Sequence, residues 1–247
     1  SLWITKDTIQ NYNIGPIKSQ LLLADRIIVN SEKEKNLLSD IFEINKAKFR
    51  VVYNGFEPDL LKYRNNKFKK STKIPLDWKE YILCIGNIEK RKNQKILIEA
   101  CRLNKKKLVL VGHIREKDYF NSLEIDNNNS VHYYGTVENH SSEFFSLILN
   151  AKCFVLPSTL ETPGLAALEA AALGIPIIIT SEGCTKEYFG SIETYYDGKK
   201  GDIMELANLI DKIFINPSLG NVNFDQIKKF SWDKCIDNQI LIYEELL

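Results

Sequence analysis

The sequence predicts an α/β fold, a Rossmann-like parallel sheet with helices on both faces. Three observations predict it. Short β-branched runs recur along the chain, and amphipathic stretches of helical period separate them. The strand runs are apolar throughout rather than alternating, as strands covered on both faces require. The predicted strands, in order, are 26–30 (RIIVN), 50–53, 81–85 (YILCI), 108–111, 131–134, 153–156, 176–180 and a short 193–196. Helices are predicted at 31–42, 94–102, 116–123, 141–150, 163–173 and 202–215. Ser31 and Glu34 have capping-box spacing and open the first helix. Phe230-Ser231-Trp232 leads into a helix-patterned tail with Ile236, Ile240, Ile242 and Tyr243 as its apolar stripe.

Composition narrows the function classes. In 247 residues, 33 basic side chains face 32 acidic ones, so a general polyanion-binding surface is not indicated and no nucleic-acid partner is expected. No apolar run approaches the roughly 20 residues of a spanning helix, and residues 1–20 carry no apolar signal core. The expected location is cytoplasmic. The five cysteines (Cys84, Cys101, Cys153, Cys184, Cys235) are widely spaced, with no C-x-x-C, and read as buried reduced thiols. Three scattered histidines argue against a zinc site. Residues 62–73 hold six basic side chains and no acid; they read as a solvated linker, with contact to an anionic membrane surface as the alternative.

The chemistry concentrates in Val155-Leu-Pro-Ser-Thr-Leu-Glu161-Thr162-Pro163-Gly164-Leu165 and the helix that follows to Gly174. Pro163 suits a first helical position, and Gly164 would let a ligand approach the backbone. Glu161 and Glu169 would stand about 12 Å apart along such a helix, flanking an N-terminus that favours anions. That layout suits a nucleotide sugar: sugar, diphosphate, ribose. On spacing alone, a dipole-stabilised charge at Glu161 and a solvated helix face at Glu169 are the favoured explanation of the pair. A second element, Gly86-Asn87-Ile88-Glu89-Lys90-Arg91-Lys92, follows a predicted strand. Its three adjacent cations could neutralise a diphosphate or simply form a solvated basic turn.

The composite of motifs resembles the family-4 retaining glycosyltransferases of the GT-B fold, the group 1 glycosyl transferases. Their C-terminal domain carries P-S-x-x-E, G-L-x-x-L-E-A and G-x-P in the order seen here at Pro157 to Pro176. Ala24-Asp25 through Ser31, Arg50 to Gly55, Ile85 to Lys92, Val111-Gly112, Gly135-Thr136-Val137 and Phe230-Ser231-Trp232 also fall in family order. The resemblance implies sugar transfer with retention, from a nucleoside diphosphate sugar to a glycan or lipid-linked acceptor, in polysaccharide or glycoconjugate synthesis. It implies Glu161, Lys92 and Arg91 as the catalytic set. Gly86, Asn87, Val137, Thr162, Pro163, Gly164, Leu165 and Glu169 would bind the donor, with Glu169 on the ribose. No cofactor and no metal are expected, and no D-x-D motif occurs. A loop at Gly183 to Glu187 would border the donor sugar.

Two departures stand out. Asn87 occupies a position where the family usually has Arg, so Arg91 is expected to substitute, and Thr162-Pro163 replaces a common Gly-Phe. Three classes therefore stay open: transferase, nucleotide-sugar 2-epimerase and non-catalytic nucleotide-sugar-binding module. The expected domains are a remnant of an acceptor-side domain at 1–62, a basic linker at 63–77, a donor-binding domain at 78–225 and a returning helix at 226–247. This is the layout of a fragment whose acceptor domain is absent or shortened, and transfer by this chain alone is expected to be negligible.

Overall fold

A computed structural model describes residues 15–64, 66–125 and 130–247. The described residues divide into two compact units, 15–55 with 229–247, and 56–228. In chain order the first elements are α1 (Gly15–Leu23), β1 (Ile27–Val29), α2 (Glu32–Phe42) and β2 (Phe49–Val51). There follow β3 (Ile82–Ile85), α3 (Gln94–Leu103), β4 (Leu108–Val111), α4 (Lys117–Asn121) and β5 (Val131–Gly135). Next come α5 (Ser142–Leu149), β6 (Cys153–Leu156), α6 (Leu165–Ala172), β7 (Ile177–Thr180) and α7 (Thr185–Phe189). The last are β8 (Tyr195–Tyr196), α8 (Ile203–Ile215), α9 (Phe224–Ile227) and α10 (Trp232–Glu244).

In the first unit β1 and β2 pair in parallel, Ile27 opposite Phe49 and Val29 opposite Val51. Ile27, Val29, Leu38, Phe42, Ile44 and Phe49 form the core. The predicted capping box is present in relaxed form. Ser31 Oγ accepts from Glu34 N at 3.0 Å, while Glu34 Oε2 accepts from Asn30 N at 2.9 Å. Gly55 is required by close approach: a Cβ there would lie 2.8 Å from Trp232 N. The predicted stripe of α10 needs correction. Only Ile242 and Cys235 are buried, whereas Ile236, Ile240 and Tyr243 are about half exposed. The helix is instead held by Glu245 just beyond its end, whose Oε2 accepts from both Arg50 (2.8 Å) and Arg26 (3.2 Å).

The second unit is a six-stranded parallel sheet in the order β5-β4-β3-β6-β7-β8, with helices on both faces. All eight predicted strands exist, shifted by a residue or two at their ends. Every residue of β4, β6 and β7 is buried, which is why their sequences show no alternation. The chain builds outward from β3 through β4 to β5, then returns to place β6 on the other side of β3. This reversal creates a crevice at the carboxyl ends of β3 and β6, where α/β sheets bind ligands.

The basic segment after residue 62 lies inside this unit and is not simply solvated. Phe68 and Tyr63 pack on Phe145, and Ile74 and Trp78 are buried. Lys70 donates to the Trp78 carbonyl, and Lys73 pairs with Glu143 at 3.0 Å. Arg64 donates to the carbonyls of Ala171 (3.1 Å) and Ala172 (2.7 Å), satisfying the C-terminus of α6. All five cysteines are buried thiols outside any disulfide. Burial raises the Cys84 and Cys153 thiols to about 12.

Candidate functional site

The site forms where loops leave β3, β4, β6 and β7. After β3 the chain turns sharply. Gly86 N donates to Val111 O, and Ile88 forms a bridge with Ile114 after β4. Gly112 allows this: at φ +145°, a Cβ on it would fall 2.0 Å from Gly86 O. Residues 90–92 form a single 3-10 turn that ends on Asn93 in the left-handed region and leads into α3. After β6, Glu161 is fixed by its own backbone. Its N–H donates to Glu182 O at 3.2 Å and its carbonyl accepts from Cys184 N at 3.2 Å.

These anchors bring the three predicted catalytic residues into contact. Lys92 Nζ lies 2.6 Å from Glu161 Oε1, and Arg91 Nη1 lies 3.7 Å from the same oxygen. Glu161 is 4% exposed, so a merely surface, dipole-stabilised charge is excluded. A second carboxylate, Glu89, is equally buried. Its Oε1 accepts both Arg91 bonds, from Nη2 at 2.7 Å and from Nε at 3.1 Å. Sequence reading passed over Glu89 as part of a basic turn. The available signal was one acid among cations directly after a buried strand.

Gly86 lies beside this pair, where a Cβ would meet the Lys92 side chain at 3.7 Å, ordinary contact distance. Asn87 is exposed; its carbonyl accepts from the buried Gln94 amide at 2.8 Å. Two expectations about α6 are corrected. Pro163 is not its first residue: the helix starts at Leu165, because Gly164 at φ +89° is its left-handed N-cap. A Cβ on Gly164 would meet Leu156, Ile179 and Glu161 between 3.2 and 3.6 Å. The missing side chain thus makes room for Leu156, Ile179 and Glu161 beside it. Glu161 accordingly lies before the helix, off its axis. No side chain caps α6 and its first turn carries no acid, so its positive end stays available to an anion. Thr162 and Pro163 link Glu161 to this end, and Leu165 is part exposed. Thr185 to Phe189, expected as loop, is the short helix α7, with Gly183 packed against Glu161 O.

Glu169 stands apart from that cluster. Its side chain is 14% exposed and its Oε1 lies 3.1 Å from His140 Nε2, so it is no solvated helix face. Burial raises its carboxyl above the usual range, while contacts with His140 and Asn139 oppose the shift and the charge of Glu57 adds to it. Beside the pair, Glu57, Leu60, Tyr63, Asn139, His140 and Phe145 line a cavity of about 580 Å³. Nothing in the spacing of His140 pointed to this contact, since it joins a loop to a helix 29 residues later. Val137 follows β5 and is half-buried. Among the described residues no cluster of three His, Cys, Asp or Glu could hold a metal, and no helix is long and apolar enough to cross a membrane.

A family model, glycosyl transferases group 1, matches residues 65–229. The chain belongs to the group 1 glycosyl transferases. The chain is similar to an uncharacterized glycosyltransferase of Methanocaldococcus jannaschii, 27% identical over 239 residues, covering 89% of this chain and 60% of that protein. The N,N'-diacetylbacillosaminyl-diphospho-undecaprenol alpha-1,3-N-acetylgalactosaminyltransferase of Campylobacter jejuni is 32% identical over 173 residues, 69% of this chain and 42% of its own. The chain therefore spans well under two thirds of these relatives. In fold it is similar to Anabaena HepE, solved in complex with UDP and glucose. The TM-score is 0.72 at 19% identity, over 96% of this chain and 68% of that one.

Proposed function

We propose that this chain carries the donor-binding half of a retaining glycosyltransferase that uses a nucleoside diphosphate sugar. One observation carries the reading. Lys92, Glu161 and Arg91 are clustered at the β3/β6 reversal, and the uncapped N-terminus of α6 begins four residues after Glu161. A diphosphate in that crevice would meet the helix N-terminus on one side and the Arg91 and Lys92 cations on the other. The sugar would then lie toward Glu161 and the ribose toward Glu169. A relative whose name specifies sugar transfer to a diphospho-undecaprenol acceptor, and a structural neighbour solved with UDP and glucose, support the reading of a nucleotide-sugar donor.

In the proposed reaction the acceptor hydroxyl oxygen bonds to the sugar C1 as the bond from C1 to the phosphate oxygen breaks. The acceptor proton passes to the departing diphosphate on the same face. Lys92, Arg91 and the α6 dipole stabilise the charge that develops on that leaving group, and no protein nucleophile is required. Glycans or lipid-linked glycans are the proposed acceptors, supplied to a longer protein in which an acceptor-side domain completes the cleft. A thermal-shift screen of this chain against UDP-, GDP- and ADP-sugars tests the reading, because a ligand of the native state raises the melting temperature. At 100 times its dissociation constant a donor adds about 2.7 kcal/mol. No shift with any of the three rejects the donor-site assignment.

A further inference from the structure

Glu89 holds two guanidinium groups. While its Oε1 holds Arg91, its other oxygen accepts from Arg115 Nη1 at 3.2 Å. The two arginines come from different strand ends, Arg91 after β3 and Arg115 after β4. Their loops are laced together by backbone. Ile88 N donates to His113 O at 2.8 Å, and the N–H groups of Arg115 and Glu116 both donate to Ile88 O at 3.2 Å. Lys90 N, in turn, donates to the Glu116 carboxylate at 3.4 Å. The carboxylate at the centre is 5% exposed, whereas the Arg115 side chain is 65% exposed.

This arrangement does more than stitch two loops. A buried carboxylate needs a partner, and Arg91 alone already supplies two hydrogen bonds to it. Arg115 adds a second cation that the charge balance does not require. The contact cluster holds two carboxylates (Glu89, Glu161) and three cations (Arg91, Lys92, Arg115), leaving one net positive charge among them. Asn87, at the position just after Gly86, contributes no charge there.

We propose that Arg115 is a diphosphate-binding residue: Glu89 fixes one edge of its guanidinium, and the outward edge grips the phosphates of the donor. The proposal rests on the donor-site reading above and adds to it a residue from the β4 loop. With Glu89 on one side, the guanidinium still has N–H groups to offer a phosphate in a fork. It would supply, from a neighbouring strand, the charge that Asn87 lacks.

The test is calorimetric titration of this chain and of its Arg115→Gln and Arg115→Lys variants. The probes are UDP, GDP, ADP and inorganic pyrophosphate, which carries the phosphates without base or sugar. Arg115→Gln should bind pyrophosphate, and whichever nucleotide the unsubstituted chain binds, about ten- to a hundredfold more weakly, as expected for a lost hydrogen bond between charged groups. Arg115→Lys should recover part of this loss, keeping the charge but not the fork. Because Arg115 is exposed, both variants should melt within a few degrees of the parent. Affinities of Arg115→Gln within about twofold of the parent, for a nucleotide the parent binds, would show Arg115 to be only a loop tie and leave the donor site standing; that margin is about 0.4 kcal/mol, below one hydrogen bond. A parent chain that binds none of the four probes overturns the donor-site reading and this proposal together.

Discussion

Replacing Lys92 by Met removes the closest cation from a carboxylate that cannot leave. Glu161 is 4% exposed, and its backbone is tied on both sides to the β7 loop, so its side chain cannot swing into water. Removing one partner of a buried ion pair costs about 3–5 kcal/mol, because the other charge is left uncompensated. Arg91 within 3.7 Å offers partial compensation and places the expected loss at the lower end. For a unit of this size, about 3 kcal/mol lowers the melting temperature by roughly 6–12 °C. The reverse substitution, Glu161→Gln, should cost less, about 1–2 kcal/mol, since a flexible lysine can reach the crevice and an amide oxygen still accepts its proton. Thermal melts followed by circular dichroism measure both. A Lys92→Met shift below about 2 °C at pH 7 refutes the reasoning.

Three further outcomes follow from the geometry. Glu169→Ala should weaken a free nucleoside diphosphate by about 1.5–3 kcal/mol in calorimetric titration, while Glu161→Gln should leave that affinity nearly unchanged; equal losses would contradict the placement of ribose and sugar. Because burial raises the Glu169 carboxyl and ribose hydroxyls need an ionised acceptor, nucleotide affinity should decline on acidification at a higher pH than an ordinary carboxylate predicts. Glu169→Gln should abolish that component of the pH profile. Arg64→Met should destabilise the second unit by about 1.5–3 kcal/mol, seen in urea unfolding, by removing the guanidinium donor from the Ala172 carbonyl at the end of α6; Ala171 O keeps the Gly174 N–H at 3.0 Å.

The sequence by itself determined the sheet. Runs such as YILCI, LVLV and CFVL are apolar at every position, and only strands buried on both faces tolerate that, so fold class and strand positions follow from local chemistry. The contact of Lys92 with Glu161 was legible in a weaker sense: each follows a buried strand, and the motif order placed them at the same edge of one sheet. Tertiary structure decided the rest. Glu89 and Arg115 meet because β3 and β4 are neighbours in parallel, a pairing 26 residues apart that no local period records. His140 reaches Glu169 in the same way. Where α6 begins turned on one glycine: Gly164 takes a left-handed conformation to clear Leu156 and Ile179, overriding the preference of Pro163 for the first helical position. The stripe of α10 fails for a related reason. Periodicity marks the residues that could be buried, but which of them meet a neighbour depends on the surface the helix is laid against, here through Cys235 and Ile242.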